Sequence, residues 1–493
     1  MTSAAAILAA AAVFTRPLER VSTMDPVMAQ SAYDQRAARL VYESVLSIDY
    51  AARPYRVAPG ACELPEFDNS GLVCRLRVRS AELSAEDVVE SVRRLGDPAN
   101  ASPNAFMVAN VRSASAIDAK TVELRLKARQ HVLPWMLTYV CVRRADGSGT
   151  GPFHLAEWRK NHIMRFVRRR PGEAKGPPRR FDEVRYLVVD DVSTQWLMFL
   201  KGEIDMLGEI SRDNWDSMFG RDGSMDPALV AAGVTLRETP TLDVMYVGVN
   251  MKDTVLGRNR KLRQALNCAF DFPAWRKFYN GRVDECTGPV PAGVEGRLET
   301  PFAYSFNLDK ARRLLEEAGY PGGIDRSTGR RLSLVMSIGR ANQDSREAGE
   351  LMASFYAKVG VSLELDFKTW DAFLKAMNEG RVQLFRIGWV GDYPDAENFL
   401  QLFHSRNVSP GANHCNFANP EFDREYDAAM AAPTAAERNV HWARCQEIVR
   451  EDCPWIFTHC PKSYSLLRAR VGNYVPGAFP YGNETYYEVI DEK

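Results

Sequence analysis

The stretch 331–391 leaves this chain the least freedom. Segments 332–338 (LSLVMSI) and 361–367 (VSLELDF) read as strands. Between them, 343–358 puts Leu351, Met352 and Phe355 on one side of a helix. A second helix over 370–378 leads to a third strand, 382–388 (VQLFRIG). Strand-helix-strand-helix-strand implies a parallel sheet, because parallel neighbours need a crossover between them. In such sheets ligands gather beyond the carboxyl ends of the strands. Just past the third strand stand Trp389, Val390, Gly391, Asp392, Tyr393, Pro394 and Asp395. Two aromatics and two carboxylates suit a cationic or peptide-like ligand.

Other helices carry start and stop signals. Ser84 and Asp87 form an S-x-x-D capping box ahead of Val88, Val92 and Leu95, and Gly96 stops that helix. Leu262, Ala265, Leu266 and Ala269 make a second apolar stripe. Leu308, Ala311, Leu314, Leu315 and Ala318 make a third, closed by Gly319 and Pro321. Asn419 before Pro420 is an N-cap followed by proline at the first helical position. Segment 168–180 is rich in arginine, proline and glycine and reads as a solvated hairpin tip.

Composition narrows the function class. At roughly 150 residues per domain, 493 residues amount to about three domains. Lysine plus arginine (63) equals aspartate plus glutamate (63), so the basic surplus that nucleic-acid binding demands is missing. A 45% hydrophobic content with no net charge is unlike a disordered chain. No apolar run reaches the 18 or so residues of a membrane span. The apolar run 4–14 (AAAILAAAAVF) has the length of a secretory h-region, although no lysine or arginine precedes it. Read as a signal, it makes 1–20 a candidate signal peptide and starts the mature protein between Ala12 and Arg20. Nine cysteines contain no C-x-x-C pair, which leaves a structural zinc site without support.

A search for catalytic motifs finds none: no H-E-x-x-H, no Walker A, no G-x-S-x-G, no S-x-x-K. Segment 147–151 (GSGTG) lacks the lysine of a phosphate loop. His404, His414 and Cys415 are a loose cluster without metal-ligand spacing. Asp392 and Asp395 have no nucleophile or metal motif near them, so they read as turn carboxylates rather than an acid–base pair.

Several short motifs then stand in a telling order. They are MDP (24–26), LVYE (40–43), LSAEDV (83–88), GTGP (149–152), FDEV (181–184) and FLKGEID (199–205). After these come VN (249–250), LRQAL (262–266), KARRLLEEAG (310–319), GWVGDYPD (388–395) and NPEFD (419–423). In this order, from about residue 22 to 487, the chain resembles the family 5 solute-binding proteins of ABC importers, the dipeptide- and oligopeptide-binding group. It departs from the family in three places. The stretches between Leu72 and Ser84 and between Lys127 and Gly149 are short, and Asp271 is followed by Phe272 and Pro273 where Asp-Arg is common.

The resemblance implies an α/β, two-lobed periplasmic-binding-protein fold with mixed sheets, a hinge between lobes and a reduced extra subdomain. Lobe 1 is expected from 21–50, 149–249 and 461–493, a shortened second domain from 51–148, and lobe 2 from 250–460. The chain would cross between lobes near Asn250 and Pro461. A periplasmic monomer is implied that binds a peptide or other small solute, passes it to membrane permease subunits, and uses no cofactor, metal, nucleic acid or catalysis. Nickel complexes, glutathione, sugars and opines are alternative cargoes, and a sensor an alternative role. Asp392 would hold the ligand's ammonium and Arg386 would line the pocket. Gly388, Trp389 and Val390 would pair with the ligand backbone, as would Gln30, Ser31 and Ala32 from the other lobe. Trp389 and Tyr393 would wall side-chain pockets.

Overall fold

The computed structural model describes residues 11–18, 21–29, 31–169, 180–220, 224–477 and 482–490. The chain divides into two units by contacts. Unit 1 takes the chain up to Thr239 and again from Ser463, and unit 2 takes Pro240–Lys462.

Unit 1 begins with β1 (Val13–Leu18) and α1 (Ala32–Val41). A small antiparallel sheet comes next: β2 (Glu66–Phe67), β3 (Val73–Arg77), β4 (Val111–Ala116) and β5 (Thr121–Leu126), in the order β2-β3-β5-β4. It lies inside the 51–148 segment. Between β3 and β4 runs α2 (Ala85–Gly96), which buries Val88, Val89, Val92 and Leu95. The Ser84–Asp87 box is formed in both directions, satisfying two backbone donors at the helix start. Next come β6 (Phe153–Arg159), β7 (Ile163–Arg168) and β8 (Glu183–Val188), an antiparallel meander. β1 closes this sheet by pairing in parallel with β8, Val13 opposite Glu183. Its core holds Phe14, Phe153, Phe166, Phe181 and Tyr186.

That pairing bears on where a mature chain could start. Ala12 and Phe14 are buried and Val13–Leu18 is a strand of the sheet, so a mature start past Ala12 removes part of the core. The earlier part of the apolar run, 1–10, lies outside the described residues.

Unit 2 runs through β9 (Val244–Val249), α3 (Arg260–Ala269), α4 (Phe272–Phe278), β10 (Val283–Glu285) and α5 (Leu308–Glu317). The expected block comes after them: β11 (Ser333–Ile338), α6 (Gln343–Ala357), β12 (Ser362–Phe367), α7 (Trp370–Asn378) and β13 (Leu384–Trp389). Then come α8 (Pro420–Ala431), α9 (Ala435–Asp452) and β14 (Trp455–Leu467), which carries the chain back into unit 1. The unit 2 sheet is mixed, in the order β14-β9-β13-β11-β12, with β10 on β14. β11 pairs in parallel with both β12 and β13, whereas β9 is antiparallel to β13 and β14. Leu334, Met336, Met352, Phe355, Leu262, Leu266 and Trp275 form its core.

The first passage between units is at Thr239 and Pro240, ten residues before the expected Asn250, because Val244–Val249 is hydrogen-bonded between two unit 2 strands.

Candidate ligand-binding site

In unit 2 the first strand of the parallel block, β11, is central, with β12 on one side and β13 on the other. The chain therefore reverses its direction of progress across the sheet at β11. The carboxyl ends of two strands at such a reversal leave a crevice that no crossover fills. A pocket of about 460 Å³ lies there. β13 contributes Arg386, Ile387, Gly388 and Trp389, with Val390 just beyond it. β11 ends in the pocket with Ile338, Gly339 and Arg340, the start of α6 adds Asn342, Asp344 and Ser345, and α7 adds Trp370. Asp243, Met245 and Tyr279 complete the wall. Four expected site residues, Arg386, Gly388, Trp389 and Val390, thus meet in one cavity.

The backbone of β13 has an unfinished edge. Its ladder with β11 ends at Ile338 opposite Arg386, three residues before β13 itself ends at Trp389. On the opposite side β9 pairs all the way from Val249 to Val244, which faces Trp389. The last turn of the pleat therefore presents backbone groups on the β11 side, facing the pocket. A row of this kind is what an added strand pairs with. Gly388 has a different task. A β-carbon there would sit 2.3 Å from Met245 Sδ, so its missing side chain lets the methionine cross the strand.

Arg386 is held from below. Its Nη2 donates to Tyr279 Oη at 3.0 Å, and its guanidinium lies 5.7 Å from the Trp275 ring centre. Trp275 Nε1 donates to His459 Nδ1 at 3.1 Å. Burial, with the Arg386 charge adding to it, lowers His459 to about 3, so the imidazole is a neutral acceptor. Tyr279 is thus the hydroxyl that orients a pocket arginine. Nothing in its local sequence marks it, because Tyr279 and Arg386 are 107 positions apart.

Beyond Val390 the GWVGDYPD segment is not part of the pocket lining. Trp389 Nε1 donates to Asn398 Oδ1 at 2.9 Å, which fixes that ring at the rim. The same oxygen accepts the Asp392 backbone N–H, and Asn398 Nδ2 donates to the Asp392 carboxylate at 3.4 Å. Burial raises the Asp392 carboxyl above its ordinary range, with the Asn398 contact opposing. Arg386 donates to Tyr279 rather than to Asp392. Tyr393 is buried and donates to Glu397, which also accepts from Tyr426 Oη at 2.7 Å. That tyrosine lies outside the pocket lined by β13.

The expected contacts from the other unit fare differently. Gln30 lies outside the described residues. Ser31 is the N-cap of α1: its hydroxyl accepts from Asp34 N and its N–H donates to the Asp34 carboxylate. The Ser31 carbonyl accepts from Gln35 N, and Ala32 is already helical. Both backbone groups of Ser31 are thus taken up in starting the helix. The MDP and LVYE motifs nearby gave no warning of a cap, although S-x-x-D at Ser31 and Asp34 did.

Among the described residues no group of three or more histidines, cysteines and carboxylates is placed to hold a metal ion. His404 instead faces Asp423 and Asp427, at 3.6 and 3.4 Å, and Cys415 accepts from Trp455 Nε1. Among the described residues no helix is long and apolar enough to cross a membrane.

Comparison with known proteins converges on one family. Residues 80–410 match the bacterial extracellular solute-binding proteins, family 5 Middle. Heme-binding protein A of Haemophilus influenzae is 27% identical over 348 residues, which is 70% of this chain and 60% of that protein. The glutathione-binding protein GsiB of Escherichia coli is 22% identical over 464 residues, 88% of this chain and 86% of that protein. The structure of HbpA2 from Haemophilus parasuis superposes with a TM-score of 0.84 at 23% identity, covering 98% of this chain and 100% of that one. The fold is therefore that of the periplasmic binding proteins, and the chain belongs to family 5 of the bacterial extracellular solute-binding proteins.

Proposed function

We propose that this solute-binding protein captures a peptide in the periplasm and delivers it to the permease of an ABC importer. The observation that carries the reading is the unfinished edge of β13, which opens into the pocket. An extended peptide pairs there with 387–390, its backbone replacing the strand that β11 does not supply. Trp370 and Trp389 flank it, and Arg386, oriented by Tyr279, faces its acceptor groups. Asp392, steadied by Asn398 just past the strand, takes the peptide's ammonium. Glutathione, named for the relative matched over most of its length, is itself a tripeptide with a free ammonium.

The test is mass spectrometry of the protein purified without refolding, followed by calorimetric titration with free and N-acetylated peptides. Co-purified peptides, and binding of free but not acetylated forms, are expected. Heme titration by absorbance is the counter-arm. Saturable heme binding with no peptide response assigns the pocket to the ligand named for the other relative.

A further inference from the structure

Asp243 is the one pocket carboxylate outside α6, and its surroundings are unusual. It precedes β9, in register opposite Val390, so it lies on the same sheet face as Met245, Gly388 and Arg386. Among the described residues no cation stands within ion-pair distance of it. Its own segment offers only Thr241, whose Oγ1 accepts the Asp243 backbone N–H at 3.3 Å. The other charged groups around it are Arg386 on β13, Arg340 just before α6 and Asp344 in its first turn, with the neutral His459 behind. A desolvated carboxylate without a cation is costly, and burial raises Asp243 to about 6.

Strand spacing says what can reach it. Neighbouring strands lie about 4.8 Å apart, so a peptide paired with β13 runs about 10 Å from β9. A short side chain stops over β13. A lysine or arginine spans the gap, its apolar stem laid on what lies between. What lies between is the Met245 thioether over Gly388, an apolar and adaptable floor.

We propose that Asp243 is a specificity-determining residue of this pocket, selecting peptides that carry a basic side chain whose charge it receives across Met245. The proposal rests on the peptide reading above. It names a feature of the cargo that the backbone edge and Asp392 do not specify, since those serve any peptide with a free ammonium.

Tripeptides carrying lysine or norleucine at each position in turn, titrated calorimetrically into the full chain, test it. At one position lysine should bind at least tenfold more tightly than norleucine at pH 7.5. That ratio should shrink towards one at pH 5 as Asp243 takes up a proton. Protonation of Asp392 weakens both peptides alike and leaves the ratio unchanged. Asp243→Asn should bring the ratio near one at both pH values and leave norleucine binding within twofold, with an undiminished unliganded melting temperature. Should that variant misfold, Asp243→Ser must show the same collapse of the ratio. A wild-type ratio near one at every position, or a ratio preserved in the variant, overturns the role of Asp243 while the peptide reading stands. Failure of every peptide to bind wild type overturns both.

Discussion

Two sets of buried charge in this molecule are built in opposite ways. In unit 1, Arg16 and Arg36 converge on Glu484, at 3.1 and 3.8 Å, with all three nearly inaccessible. Burial pulls Arg16 down, and Glu484 together with Tyr487 and Tyr186 more than restores it, whereas Arg36 is left lowered by burial and by the Arg16 charge. In the unit 2 pocket, Arg386 has a neutral phenol for a partner and Asp243 a neutral hydroxyl side chain nearby. In the first set two guanidiniums share one carboxylate, and removing that carboxylate strands both. The second set has its orientation but not its counter-charge. The difference separates charges that hold a fold from charges that wait for a ligand.

The comparison breaks most readily at its strongest points. Glu484→Gln should cost roughly 3–5 kcal/mol of unliganded stability, because two buried guanidiniums lose their carboxylate. Urea denaturation reads this loss, and ligand affinity in the surviving folded protein should be unchanged. Asp392→Asn should do the reverse. Affinity for peptides with a free ammonium should fall more than a hundredfold, about 3 kcal/mol or more, while the unliganded melting temperature holds. Equal damage to stability and affinity in either variant would erase the distinction.

Smaller effects sharpen it. Gly388→Ala forces Met245 off the strand and should cost about 1–3 kcal/mol of stability. It should also weaken peptide binding, which calorimetry on the same sample detects. Asp243 supplies a pH signature. Its carboxyl titrates at about 6 in the fold, above the ordinary 3.8. The stability it contributes is therefore full below pH 3.8 and lost as pH climbs through 6. The melting temperature of Asp243→Asn minus that of wild type should rise steadily from about pH 4 to about pH 7. Ser84→Ala, far from either charge set, should cost only about 1 kcal/mol through the lost cap of α2 and leave binding untouched.

Local pattern made much of this legible beforehand. The expected strands at 332–338, 361–367 and 382–388 start one or two residues before β11, β12 and β13 and end within one residue of them. Alternation and helical stripes are short-range signals, and this block is built from them. The far wall of the pocket was not legible. Asp243 and Met245 reach it through an antiparallel register between β9 and β13, about 140 positions later in the chain, and no periodicity encodes which strands pair. A lone aspartate heading an apolar strand, LDVMYVGV, was the available signal. Tyr393 was hard to read for the opposite reason: a motif beside a ligand site looks exposed, yet half of it is spent on the Glu397 network that anchors the turn. β1 was masked by the alanine run that merges into it.

The Arg16 and Glu484 contact also sets a timetable. Its partners are separated by 468 positions, so a ribosome has made nearly the whole chain before that ion pair can close. Unit 2 is a single uninterrupted segment whose strands and helices are neighbours in synthesis as well as in space. Unit 1 is stitched from both ends, with β1 waiting first for β8 and then for Glu484. Contacts of such long range are slow to form. The ion pair on β1 is thus among the last contacts the chain can make, long after β8 is available to that strand.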